Sequence, residues 1–193
     1  IRQLFLSFGH HSELIYSMTL IIILLVIVYL NRNVVEKGRF KVSFLLFMLL
    51  ESFIWCTVFI FLMGISENII LSILERNIIP EQFYLSIGAG IWEELLFRVG
   101  ATGIIIYIMN YTLGYNHLFS IFMAIFCSAL LFSLFHYIGQ LGDIFTFRSF
   151  CLRTFAGIML GALYISRGFG ITAYTHIFYD MAIISMPVLM YNK

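Results

Sequence analysis

Charge is what this chain has least of. Asp, Glu, Lys and Arg make up 11% of its 193 residues, against about 25% in a typical soluble domain. The deficit leaves too few groups to solvate a chain that is 62% hydrophobic, with a mean hydropathy of +1.00. A soluble globule is excluded, and a polytopic membrane protein is expected. The net charge is only +1; no basic stripe or aromatic-interleaved Lys/Arg run exists, which argues against a nucleic-acid partner. Cysteine is sparse as well, with three residues. Cys56, Cys127 and Cys151 are odd in number, lie in apolar runs and form no CxxC pair, so they read as small hydrophobes in packed helices. Lipidation motifs, internal repeats, low-complexity tracts and an HExxH helix are also missing. The chain opens on Ile1 rather than Met, and a processed or trimmed start is expected.

What is present is a succession of long apolar runs. A spanning helix needs about 20 such residues, and six runs approach this: 14–30, 42–65, 83–109, 115–139, 149–166 and 171–190. The first lacks a small-x-small cleavage site and reads as a retained transmembrane helix. The segment 68–79, NIILSILERNII, is short and carries Glu75 and Arg76, so an interfacial or re-entrant helix is predicted, ended by Pro80. The fold class is therefore all-α: one transmembrane bundle over 1–193, of about six spans, with a catalytic core over 83–190. Loop 31–41 holds Arg32, Lys37, Arg39 and Lys41 and is expected to be cytoplasmic. The acidic connection 66–82 (Glu67, Glu75 and Glu81) is expected on the outer side, although Arg148 and Arg153 then also fall there.

Against this background a few polar residues stand out. IWEELLFRVG (91–100) puts Glu93, Glu94 and Arg98 in an apolar helix, where each costs about 2.5–3.5 kcal/mol at the bilayer centre. Glu94 and Arg98 are four apart with the acid first, the better order for a helical ion pair, and read as a buried bridge. Glu93 points some 100° away around the helix. It is either a carboxyl bonded to a neighbouring carbonyl or a poised acid or base. His136 sits near the end of the fourth run, and His176 and Asp180 lie four apart on one face of the sixth. Each histidine alone reads most simply as a packed imidazole. Together with Glu93 they make either a metal site or an acid/base site. Glu93 lies some ten residues into its helix, or about 15 Å, so the three are expected to meet near the midplane, in a cavity that admits water. Glu51 reads as a neutral carboxyl bonded to a neighbour; His10, His11 and His117 read as helix-edge residues. Gly157 and Gly161 form a GxxxG suited to close helix packing.

These motifs resemble those of the CPBP family, the Abi or type II CAAX prenyl endopeptidase family of intramembrane proteases, whose pattern is EExxxR, FxxxH and HxxxN or HxxxD on successive membrane helices. Here they read EELLFR (Glu93, Glu94, Arg98), FSLFH (Phe132, His136) and HIFYD (His176, Asp180), and the likeness covers about 85–185. The resemblance implies that Glu93 activates a water for attack on a peptide carbonyl and that His136 helps hold it. It also implies that His176 and residue 180 form the oxyanion site, with Glu94, Arg98 and Phe132 in support. Eukaryotic members typically carry Asn at the last position; Asp180 must be protonated to donate, or else orient His176. No cofactor is required by this mechanism. The alternative is zinc held by Glu93, His136 and His176, with an open position for water.

The implied substrate is a membrane-associated peptide, either a prenylated CaaX-type tail or a small peptide, met together with membrane lipid, and the plasma membrane is the expected location. Two rival readings use the same residues: a proton-coupled transporter, for which buried Glu, His and Asp would form a relay, and a non-catalytic immunity or binding protein. The lack of a repeat weighs against the first, and the intact motifs weigh against the second.

Overall fold

The computed structural model describes residues 42–64, 80–139 and 142–191, with scattered helical positions between 18 and 29. Every regular element among the described residues is helical. α1 is Val42–Gly64. α2 is a composite rod: an α segment Pro80–Glu93, a π segment Glu94–Ala101, an α segment Thr102–Tyr107 and a π segment Ile108–Thr112. α3 is His117–Phe135, α4 is Phe147–Arg167 and α5 is Phe169–Tyr191.

The boundaries follow local chemistry. Asn116 and Thr146, both extended, cap α3 and α4: their side-chain oxygens accept the N–H of Phe119 at 2.8 Å and Ser149 at 3.2 Å, satisfying otherwise orphaned donors. α4 stops at Gly168, whose φ of 85° suits glycine, and α5 begins one residue later. The long helix expected over 83–109 is continuous but not uniformly α. Its junction residues Glu93, Thr102 and Ile108 keep right-handed helical dihedrals, so the rod widens twice without breaking.

α1, α3 and α4 are long and apolar enough to cross a membrane, and the protein is an integral membrane protein. The expected six spans are not reached by this criterion: three helices meet it among the described residues, and the charged EELLFR patch sits inside α2. The predicted helix over 14–30 lies almost wholly outside the described residues. So do the interfacial helix 68–79, the basic loop 31–41, most of the acidic connection 66–82, and His10 and His11. His117 is at a helix edge as expected, its Nδ1 3.0 Å from Asn110 Nδ2.

Between the helices the contacts use small residues, as in membrane bundles generally. A Cβ on Gly157 would stand 2.9 Å from Ala129 Cα, and one on Gly161 3.1 Å from Ile125, so the two glycines set how closely α4 approaches α3. Gly90 of α2 meets Ile177 of α5 in the same way, at 2.7 Å. Thr102 Oγ1 donates to Phe97 O at 2.9 Å and lies 3.1 Å from Ser128 Oγ, joining α2 to α3. The hydroxyl of Ser52 on α1 reaches Ile171 O of α5 at 3.3 Å.

Glu51 has the near neighbour its sequence reading expects and a distant partner besides. Trp55 Nε1, one turn on, donates to its Oε1 at 3.4 Å, and the Arg167 guanidinium at the end of α4 grips both its oxygens, Nη2 at 2.6 Å from Oε2. A bidentate pair of this kind favours the ionised carboxylate, and no local spacing reveals a partner 116 positions away.

Candidate active site

Glu93 and Glu94 straddle the junction at which α2 passes from α to π. π turns are rare and concentrate at functional sites. Here the widened turn carries Glu94, Phe97 and Arg98, all buried, toward α3 and α5.

The polar residues fall into two layers. The inner layer is sealed: Glu94 is 0% and Arg98 1% exposed, and Arg98 Nε lies 3.0 Å from Glu94 Oε2. The guanidinium also sits 4.6 Å from the centre of the Phe132 ring, a cation–π contact strengthened by desolvation. The outer layer is partly open, with Glu93 17%, His136 27% and Asp180 28% exposed. His176 joins the two. Its Nδ1 is 2.7 Å from Glu94 Oε1, while its Nε2 faces Glu93 Oε2 at 3.9 Å and Asp180 Oδ2 at 3.6 Å. His136 Nε2 lies 4.0 Å from the same Glu93 oxygen.

Partners fix the imidazoles. His136 follows the last residue of α3, and its Nδ1 is 2.8 Å from Phe132 O. A carbonyl can only accept, so Nδ1 carries a proton, and in the neutral ring Nε2 presents a lone pair toward Glu93. Phe132 does more than pack. Its ring meets His136 edge-on at 4.8 Å, Phe97 at 5.5 Å and His176 at 6.0 Å.

The structure thus brings Glu93, His136, His176 and Asp180 together, with Glu94, Arg98 and Phe132 behind them. Two features were not read from the sequence. Glu94 is more than half of a bridge to Arg98, since its other oxygen bonds His176 across 82 positions; only the folded bundle reveals that. Asp143 and Arg153, paired beside the end of α3, were also overlooked, although a charged pair near His136 was visible in the sequence.

The donor set can be tested for zinc. Zn–N and Zn–O bonds of about 2.0–2.1 Å across gaps of 3.9 and 4.0 Å would need N–Zn–O angles of about 150°, far from the tetrahedral value of about 109°. As placed, Glu93, His136 and His176 do not fit that ion, and no group of three His, Cys, Asp or Glu among the described residues has the spacing for a metal. A water about 2.8 Å from Glu93 Oε2 and His136 Nε2 would subtend about 90°, close to what its two O–H bonds can span.

Apolar helices around an acid–imidazole centre, open on one side and sealed on the other, define an integral membrane protein with a polar site enclosed in its bundle. The type II CAAX prenyl endopeptidase Rce1-like family model matches residues 75–182, more than half of the chain and all of the grouped residues, and the chain belongs to that family. Its members are intramembrane proteases. No curated protein and no solved structure matches the chain.

Proposed function

We propose that the protein is an intramembrane endopeptidase that hydrolyses a peptide bond with a water activated by Glu93. The observation that carries this reading is one carboxylate oxygen, Glu93 Oε2, standing 3.9 and 4.0 Å from two imidazole Nε2 atoms. Those gaps admit a water, in a centre that is 17–28% exposed on its outer side.

A water held there donates one hydrogen to Glu93 and one to the Nε2 lone pair of His136. Glu93 takes its proton as the oxygen attacks the scissile carbonyl carbon. The developing oxyanion faces His176 and Asp180. With the Nδ1 proton of His176 committed to Glu94, Nε2 donates in the imidazolium form, and Glu94 orients that ring as the acid of a hydrolase triad does. Asp180 supplies a second hydrogen bond as its neutral acid. Collapse of the tetrahedral intermediate breaks the C–N bond, and Glu93 returns its proton to the leaving amine. No step is routed through a metal. The family supports a membrane-associated peptide as substrate; a prenylated CaaX-type tail or a small peptide, met at the plasma membrane, is the proposed form of it.

The test is reconstitution in liposomes with a labelled peptide library. Cleavage by the wild-type protein is expected, unchanged by prior treatment with a zinc chelator. An inert wild type refutes the proposal, and loss of cleavage restored by zinc refutes its metal-free form. In the same assay Asp180→Asn is expected to keep activity within about tenfold, because an amide N–H replaces one hydrogen bond of the neutral acid with another of similar strength. A collapse of cleavage would show that Asp180 acts as an ionised acceptor.

A further inference from the structure

We propose that the Asp143–Arg153 ion pair is a positioning device that holds the His136 imidazole toward Glu93. The inference rests on the hydrolytic reading above and adds two residues that none of the motifs contains.

His136 is placed where a helix gives least support. It caps the C-terminus of α3, where its own N–H makes only a long bond to Ser133 O, 3.3 Å. Its carbonyl is among the groups that a helix end leaves without an intrahelical partner. That carbonyl is taken by the backbone N–H of Asp143 at 3.0 Å. The Asp143 carboxylate is in turn paired with Arg153, nearly two turns into α4. The Arg153 guanidinium also lies 5.3 Å from the centre of the Tyr137 ring, and the Tyr137 hydroxyl bonds Ser149 Oγ of α4. Both residues that leave α3, 136 and 137, are therefore tied to α4 through Arg153. One turn earlier, Ser133 Oγ donates to Phe150 O of α4 at 2.9 Å, so the fixed part of α3 ends just before His136.

The geometry makes this a matter of aim more than of stability. Asp143 is 49% and Arg153 29% exposed, so neither charge is sealed in the bundle as Glu94 and Arg98 are. What it fixes is the backbone of a residue whose Nε2 must stay about one water's width from Glu93, and a displacement of about 1 Å at such a site can cost 100-fold in rate.

The experiment compares Arg153→Ala, Asp143→Asn and Arg153→Lys with Arg167→Ala, which removes another partly exposed ion pair from the same helix, away from the site. Arg153→Ala and Asp143→Asn are expected to lower kcat roughly ten- to 100-fold, with KM within about twofold and an unchanged melting temperature. Arg153→Lys, which can still pair with Asp143, is expected to recover most of kcat, and Arg167→Ala to leave kcat as it was. Independently of turnover, 15N NMR of histidine-labelled protein should show the Nδ1–H tautomer of His136 in the wild type and its exchange-averaging in Arg153→Ala. Unchanged kcat together with an unchanged His136 signal overturns the proposal. So does a loss shared equally by Arg167→Ala and matched by a fall in melting temperature. If the wild type cleaves nothing, the protease reading fails by itself, and the His136 signal alone decides this one.

Discussion

Glu93→Gln is expected to lower cleavage by roughly 10²–10⁴, the contribution of a positioned general base, while leaving the bundle folded. Glutamine has nearly the volume of glutamate and keeps one carbonyl oxygen near the two imidazoles, but it cannot accept the proton that water must lose. The substitution also costs little in folding. Glu93 is partly exposed and is not paired with Arg98, whose Nε lies against Glu94. Liposome assays of turnover alongside the thermal midpoint in detergent separate the two quantities. A variant that cleaves as fast as the wild type would remove Glu93 as the base, and one that fails to fold would show that this carboxyl is structural.

Arg98→Ala should produce the opposite pattern. Removing one member of a buried ion pair leaves a charge without a counterpart in low dielectric, a loss of about 3–5 kcal/mol. Total stability is commonly only about 5–15 kcal/mol. Glu94, 0% exposed, would keep His176 as its one remaining partner, and the Phe132 ring would lose the cation above it. The folded yield and the midpoint of denaturant unfolding should both drop sharply. The double variant Arg98→Ala/Glu94→Gln should regain much of that loss, because no buried charge is then left unpaired. It should remain slow, because His176 has lost the carboxylate that orients it. Equal stability of wild type and Arg98→Ala would show that Glu94 does not depend on Arg98, being neutral, solvated or balanced by His176 alone.

How much of this was legible depended on sequence separation. Glu94 with Arg98, and His176 with Asp180, are four residues apart, and helical periodicity alone puts each couple on one face; the structure pairs them at 3.0 and 3.6 Å. The helix limits came within a few residues because apolar runs mark them locally; the caps Asn116 and Thr146 and the stop at Gly168 are seen only in the structure. The family was legible because three weak motifs occur in order. Contacts between distant positions were not: Glu94 with His176 and Glu51 with Arg167 depend on how whole helices pack. Nor did any residue announce the π turns, since EELLFRVGA satisfies an α pattern equally well. Of the six expected spans, three meet the length and apolarity criterion among the described residues. Hydropathy runs show where a chain tolerates lipid, whereas α2 mixes a lipid-tolerant rod with a charged middle.

The reach of Glu94 across to His176 has a consequence for how the protein is made. Chains emerge N-terminus first, so Glu94 and Arg98 enter the bilayer while α5 is still untranslated. The pair can neutralise itself at once, within a single turn of helix, and needs nothing that comes later. α5 then adds His176 and Asp180 to Glu93 and His136, completing a centre that a nascent chain without α5 lacks. On the proposed mechanism, such a chain passes through the insertion machinery in an unarmed state, and becomes competent only when α5 docks.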